Sequence, residues 1–199
     1  MGYLSNAGVF LIKTLFGLYE IIILLRLLMQ FVRADFYNPV SQFVVKVTNP
    51  PLRPLRRIIP GLAGIDMASV ILLLLVVVVE ILLLSLITTL PMPSIAGLFA
   101  LALVEILNLL VNVYLFSIFI LVILSWVSAG GYNPVANLLS QITAPLMRPL
   151  QRLLPPIGGL DLSPMAAIIV LYLVMLLVIA PLKDFAGAMA YGHQLALFG

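Results

Sequence analysis

The chain has 199 residues, of which 64% are hydrophobic and only 9% are charged. Because a soluble domain carries roughly a quarter charged residues, this composition predicts a protein that uses lipid as its solvent. The absence of cysteine excludes disulfides, thiolate metal sites and thiol catalysis.

Four apolar stretches are long enough to cross the hydrocarbon core of a membrane, which needs about 20 helical residues. We place these spans near residues 8–32, 68–90, 97–127 and 164–182. No basic region precedes the first span and no small-residue cleavage site follows it, so we expect a retained helix rather than a signal peptide.

The polar segment after the first span recurs 95 residues later without a gap. Residues 37–66 read YNPVSQFVVKVTNPPLRPLRRIIPGLAGID, and residues 132–161 read YNPVANLLSQITAPLMRPLQRLLPPIGGLD. The chain therefore divides into repeat 1 (residues 1–95) and repeat 2 (residues 96–199, ending in a short tail). Because each repeat holds an even number of spans, we predict an all-α membrane protein of two parallel helix–loop–helix repeats.

The basic residues predict the orientation of the spans. Seven of the ten lie in the loops after spans one and three, so the positive-inside rule places both loops in the cytoplasm and both termini outside, in the periplasm. Lys183, just past the predicted fourth span, argues weakly for the opposite orientation. Basic residues beside membrane segments also favour anionic lipid headgroups as partners, and not nucleic acid.

Each loop begins with a predicted helix. Asn38 and Asn133 precede proline and are typical N-cap residues, whereas Pro50 and Pro145 should end each helix after about ten residues. Helical spacing places apolar residues on one face and Ser41, Gln42 and Lys46 on the other, which predicts a short cytoplasmic amphipathic helix in each repeat. The apolar positions are Val40, Phe43, Val44 and Val47 in the first copy, and Val135, Leu138, Leu139 and Ile142 in the second.

Four arginines occur at equivalent positions of the two loops, namely Arg53, Arg57, Arg148 and Arg152. The planar guanidinium group binds phosphate at two points, so these residues are candidates for binding lipid headgroups or a partner protein. Alternatively, they bond helix carbonyls or Asp66 and Asp161 and so fix the loop. Asp66 and Asp161 precede spans two and four at the spacing of helix N-caps.

Polar side chains inside the spans are candidate functional residues because they are costly to place in lipid. Repeat 2 has Leu115, Leu121 and Met175 where repeat 1 has its deepest charges, so the scaffold itself does not require them. Three interpretations remain: a structural trio in which the arginine pairs with two glutamates, an ion or proton pathway, and a contact with another subunit. The candidates are Glu20, Arg26, Glu80, Glu105, Asn108 and Asn112.

The sequence has no recognisable catalytic set. It lacks the Walker, HExxH and GxSxG motifs, and its one histidine, His193, lies in the tail. We therefore expect no enzymatic activity, no cofactor and no metal site.

The doubled pattern of NPV with a helix, then PxxRPLxR, then an apolar residue and Asp, resembles the YggT (YlmG) family of small membrane proteins. LLRLLMQFVRADFYNP (residues 24–39) is similar to the proteobacterial form. The resemblance covers roughly residues 8–182, and repeat 2 departs from it at Gln151 and Leu121, where repeat 1 has Arg56 and Arg26.

The resemblance implies a bacterial inner-membrane protein with no established catalytic activity. It also implies links to osmotic stress and potassium homeostasis, and in relatives to cell division, nucleoid placement and chloroplast cytochrome assembly. Two functions compete: an ion-flux role in osmotic adaptation, in which an oligomer would complete a pore, and a non-catalytic scaffold or assembly factor that binds lipid or partner proteins through the loops.

Overall fold

The computed structural model describes residues 2–61, 64, 66–88, 91–127, 133–154 and 161–192. His193, the rest of the predicted tail and the predicted end of span two (residues 89–90) lie outside them. The described residues form α-helices joined by short connections: α1 (Tyr3–Phe31), α2 (Pro39–Ile58), α3 (Met67–Ile87), α4 (Ile95–Val127), α5 (Pro134–Leu153), α6 (Ser163–Val174), a π-helical segment (Met175–Ile179) and α7 (Ala180–Tyr191).

Four helical segments are long and apolar enough to cross a membrane, which confirms the predicted all-α architecture of four spans in two repeats. They are α1, α3, α4 and the continuous helix Ser163–Tyr191. Each repeat contributes two spans joined by a connecting helix, α2 or α5. Large apolar side chains remain exposed on the spans, as expected where lipid is the solvent; examples are Phe10, Leu15, Phe116 and Leu177.

The fourth span is longer than predicted, because the helix continues to Tyr191 instead of ending near residue 182. Pro181 lies just inside α7, where its ring would clash with the carbonyl group of Leu177 one turn earlier. The π-helical turn Met175–Ile179 comes immediately before and widens the helix at that place. Lys183 is therefore part of the span and does not follow it.

The two repeats pack through α3 and α4, while α1 packs on α3 and α4 packs on α6 and α7. One buried cluster, centred on Ile23, Leu73 and Val77, also takes in Ala102 and Ile142 from repeat 2. A second cluster is built within repeat 2. The core of repeat 1 is thus completed by side chains of repeat 2.

The connecting helices are twenty residues each, so the predicted length of about ten was wrong. Pro50, Pro51 and Pro54 lie inside α2, and Pro145 and Pro149 lie inside α5. Proline has a helical φ angle. It destabilises a helix mainly because it lacks the N–H group for one backbone hydrogen bond and because its ring clashes with the preceding turn. Tertiary packing offsets that cost, since Leu52, between the prolines, is completely buried.

The buried face of α2 also differs from the predicted apolar stripe. Ser41, predicted to lie opposite the apolar stripe, is completely buried, and Phe43, a member of that stripe, is 56% exposed. Small polar side chains such as Ser41 and Thr48 let α2 approach the spans closely. An apolar side chain in contact with lipid gains no hydrophobic free energy by packing on protein instead. In α5, Val135 is likewise exposed, whereas Leu138 and Ile142 are buried.

The start of α4 and the end of α7 approach each other closely. A Cβ atom added to Gly97 would lie 2.1 Å from the Cα atom of Ala190. Nearby, the amide of Ser94 donates to the carbonyl of Ala190 and the Ser94 hydroxyl donates to the carbonyl of Met189, both at 2.8 Å. Only glycine at position 97 allows this backbone approach.

Replacing Gly97 with alanine should therefore destabilise the bundle by about 1–3 kcal/mol, because α4 and α7 must separate. The measurement is unfolding of the detergent-solubilised protein followed by circular dichroism. Gly17→Ala is the matched control, since no atom lies within 4 Å of its added Cβ. Equal stability of the two variants would contradict the close crossing.

Candidate functional site

Two glutamates meet inside repeat 1. Glu20 on α1 and Glu80 on α3 are neighbouring acids, with Glu105 on α4 as the next one. Glu20 is only 7% exposed. We call Glu20 and Glu80 the acidic pair. It lies where the two spans of repeat 1 pack on each other.

One oxygen of the pair lacks a partner in this structure. Among the described residues, no donor bonds Oε1 of Glu20, although the atom is buried. Buried polar atoms almost always have a hydrogen-bond partner. Two facing carboxylates repel each other in a low-dielectric interior unless they share a proton or bind a cation. The pair therefore has the chemistry to hold one proton or one small cation.

Glu105, Asn108 and Asn112 form a separate row of polar side chains along α4, which we call the polar line. Lys183 Nζ lies 3.0 Å from Glu105 Oε1, and Asn108 Nδ2 donates to Glu105 Oε2 at 3.3 Å. The amide of Asn112 in turn donates to the backbone carbonyl of Asn108 at 2.9 Å. In the part of the chain that the structure describes, no three histidine, aspartate or glutamate side chains form a metal site.

A pocket of about 240 Å³ lies beside this polar line, between α1, α3, α4 and α7. Lys13 and Glu105 line it together with the hydroxyl-bearing residues Ser85, Thr88 and Tyr191. The pocket thus places two charged groups and three hydroxyl groups between the spans.

Arg26 does not pair with the acidic pair, so the structural-trio interpretation was wrong. Its Nη1 donates to Thr48 Oγ1 at 2.5 Å and to the carbonyl of Val45 at 3.3 Å, both on α2. Six helical residues separate Arg26 from Glu20, which places the two side chains about 9 Å apart along the axis and on different faces. Arg26 instead fastens the connecting helix to the first span.

The loops are held by a contact that sequence reasoning did not single out. Arg56 forms an ion pair with Asp66, and at the equivalent positions of repeat 2, Gln151 Nε2 donates to Asp161 Oδ2 at 3.1 Å. Both pairs link the end of a connecting helix to the start of the next span. The signal was present in the sequence, because each pair is separated by the same ten residues.

The two aspartates differ from the predicted N-caps. Asp66 occupies the N-cap position, but its side chain bonds Arg56 and the hydroxyl of Ser69 instead of a helix amide. Burial opposes ionisation of Asp66, yet these hydrogen bonds outweigh it and hold its pKa below the usual range. Asp161 lies one residue before the N-cap of α6 and accepts the amide of Ser163 at 2.9 Å.

The predicted asparagine positions lie where the two connecting helices meet. Asn38 Oδ1 accepts the amide of Val40 at 2.9 Å, and Asn133 Oδ1 accepts that of Val135 at 2.9 Å. Asn38 Nδ2 also donates to the carbonyl of Pro134 at 2.6 Å, which links α2 to α5. The starts of the two helices thus hold the repeats together.

The four repeated arginines remain on the surface. All are exposed, and none forms an ion pair or hydrogen bond with another described residue. Their guanidinium groups are therefore available to a partner outside the described chain. They are Arg53, Arg57, Arg148 and Arg152.

Comparison with known proteins identifies the family of this chain. The CCB3/YggT family model matches twice, over residues 5–87 and 100–182. The chain belongs to the CCB3/YggT family. It is 46% identical to an uncharacterised Pseudomonas aeruginosa protein over 98% of both chains. It is 40% identical to the uncharacterised YggT protein of Escherichia coli K12, over 96% of this chain and all of the relative. No solved structure matches it.

Proposed function

We propose that this member of the CCB3/YggT family is a non-catalytic inner-membrane protein of ion homeostasis under osmotic stress. In this proposal the acidic pair binds a proton or a monovalent cation, such as potassium, inside the bundle. The observation that carries the proposal is the buried Oε1 of Glu20, which has no donor among the described residues and faces a second carboxyl group.

The comparison of the repeats supports a functional interpretation of the pair. Repeat 2 builds the same helix–loop–helix unit with Leu115 and Met175 at the positions of Glu20 and Glu80. A buried acid costs free energy unless it is neutralised. Because the same fold forms without these acids, a requirement of the scaffold does not explain their cost.

A pocket between the spans supports the same proposal. Lys13 and Glu105 line it together with three hydroxyl-bearing residues, and we propose that water or an ion enters the bundle there. Four spans form a thin bundle, so we propose that a homo-oligomer or a partner membrane protein completes the pathway. With the loops in the cytoplasm, this entry opens on the periplasmic side, because it lies at the opposite ends of the spans.

A flux assay tests the proposal. The chain reconstituted into liposomes should carry potassium or protons, and Glu20→Gln/Glu80→Gln should reduce the flux to that of empty liposomes because the neutral amides cannot exchange a proton or hold a cation. Asp184→Asn is the matched control, since Asp184 is an exposed acid of α7 away from the pair.

Circular dichroism and gel filtration establish that every variant is folded and inserted. Flux that persists in the double variant, or no flux from folded wild-type protein, would overturn the proposed pathway.

The scaffold remains a second candidate, because one observation favours it. The four arginines repeated in both loops bond no other described residue, whereas loop tethering is done by Arg56 and Gln151. Residues that serve the fold of the loop are thus distinct from the four repeated arginines. We propose anionic lipid headgroups or a partner membrane protein as the ligands of these four.

Replacing the four repeated arginines with glutamine should then weaken the preference of the inserted protein for anionic over zwitterionic lipid headgroups, by about 1 kcal/mol per residue. Osmotic tolerance of the host should fall while insertion stays normal. Arg33→Gln, at an exposed arginine found in one loop only, is the control. A silent four-residue variant would rule out the scaffold.

A further inference from the structure

Repeat 2 contains a large pocket, of whose lining the proposed functions use only Arg148. It has a volume of about 820 Å³ and lies between α4, α5 and α6. Its walls are mostly apolar, with Leu121, Met147 and Ile168 among them, while Arg148 and Asp161 supply opposite charges. The volume falls in the range of small-molecule sites, roughly 300–1,000 Å³.

The pocket is a departure of repeat 2 from repeat 1. The equivalent of Leu121 is Arg26, whose guanidinium group reaches across to Thr48 on α2. In repeat 2, Leu121 is shorter and apolar, and the equivalent Thr143 bonds only the backbone of its own helix. The same scaffold thus bridges this space in one copy and leaves it open in the other.

The rim of the pocket faces the membrane. Trp126 is 81% exposed, and Phe119 and Met165, which also line the pocket, are more than half exposed. Large apolar side chains exposed on spanning helices contact lipid, and tryptophan is typical of the membrane interface. A ligand from the bilayer can therefore enter sideways, with its apolar part in the pocket.

The pocket carries one positive and one negative group, which suits a zwitterionic ligand. Arg148 is exposed, and a guanidinium group binds phosphate through paired donors. Hydrogen bonding by Ser163 and Gln151 holds the pKa of Asp161 below its usual range, so this carboxylate is charged at neutral pH. Unlike Asp66, which pairs with Arg56, Asp161 has only the neutral Gln151 as its loop partner among the described residues.

We propose that this pocket binds an acyl chain of a phospholipid whose headgroup carries a primary ammonium, as in phosphatidylethanolamine. The phosphate bonds Arg148, the ammonium bonds Asp161, and the chain lies against Leu121, Met147 and Ile168. The glycerol of phosphatidylglycerol is neutral and cannot neutralise Asp161, and a quaternary ammonium has no N–H to donate.

Trp126 is the only tryptophan of the chain, so its fluorescence reports on this pocket directly. The full chain is reconstituted in phosphatidylcholine bilayers containing increasing fractions of a phospholipid with brominated acyl chains, which quench tryptophan on contact. Brominated phosphatidylethanolamine should quench at about a tenfold lower mole fraction than brominated phosphatidylcholine or phosphatidylglycerol, the ratio expected for one charge-assisted hydrogen bond.

Arg148→Gln and Asp161→Asn should each abolish this selectivity, whereas the control Arg33→Gln, at an exposed arginine outside the pocket, should keep it. Leu121→Arg copies the closed arrangement of repeat 1 and should remove the selective quenching. If Leu121→Arg does not fold, Leu121→Phe is used in its place. Equal quenching by all headgroups would mean contact with bulk lipid only and would overturn the proposal. A preference for phosphatidylglycerol, or an equal loss in Arg33→Gln, would also overturn it.

Discussion

A carboxylate inside a membrane bundle is stable only when a proton, a cation or hydrogen-bond donors neutralise it. Most polar groups within these spans meet that requirement through the chain itself. Arg26 bonds Thr48 on the connecting helix, and Glu105 pairs with Lys183 on the fourth span. Glu20 does not, because its buried Oε1 has no donor among the described residues and the group next to it, Glu80, is a second acid. The proposed ion or proton site follows from that imbalance.

Comparison of the two repeats distinguishes contacts that both copies of the fold contain from features found in one copy only. Both repeats tie the end of the connecting helix to the start of the next span, once through the ion pair Arg56–Asp66 and once through Gln151 and Asp161. The tether is therefore a requirement of the architecture, and its chemistry can vary. Each repeat then has one feature that its counterpart replaces: the acidic pair in repeat 1 and the open pocket in repeat 2.

The parts of the fold that depend on composition and periodicity were predictable from the sequence. Apolar length predicted the four spans, and the exact spacing of the duplicated motif predicted the two repeats. Local rules failed where tertiary packing overrides them. Pro50 suggested the end of a connecting helix, but α2 continues through it with Leu52 buried. The fourth span was predicted to end near residue 182, but its helix continues past Pro181 after a π-helical turn.

The sequence predicted which residues belong to the candidate site, but not which side chains bond each other. Glu20 and Glu80 were identified because ionisable residues are rare in spans, but the partner of Arg26 depends on how α2 folds back on α1. Likewise, Lys183 forms its ion pair with Glu105 because the fourth span continues past residue 182. Sequence spacing within one helix cannot supply such contacts between elements.

The protonation state of the acidic pair tests the central claim most directly. Infrared difference spectra between the reconstituted wild type and Glu20→Gln separate a protonated carboxyl group from a carboxylate. The account predicts a protonated-carboxyl band at neutral pH without potassium, its absence in Glu20→Gln, and its replacement by carboxylate bands as potassium is added. Two fully ionised carboxylates in the absence of the cation would contradict it.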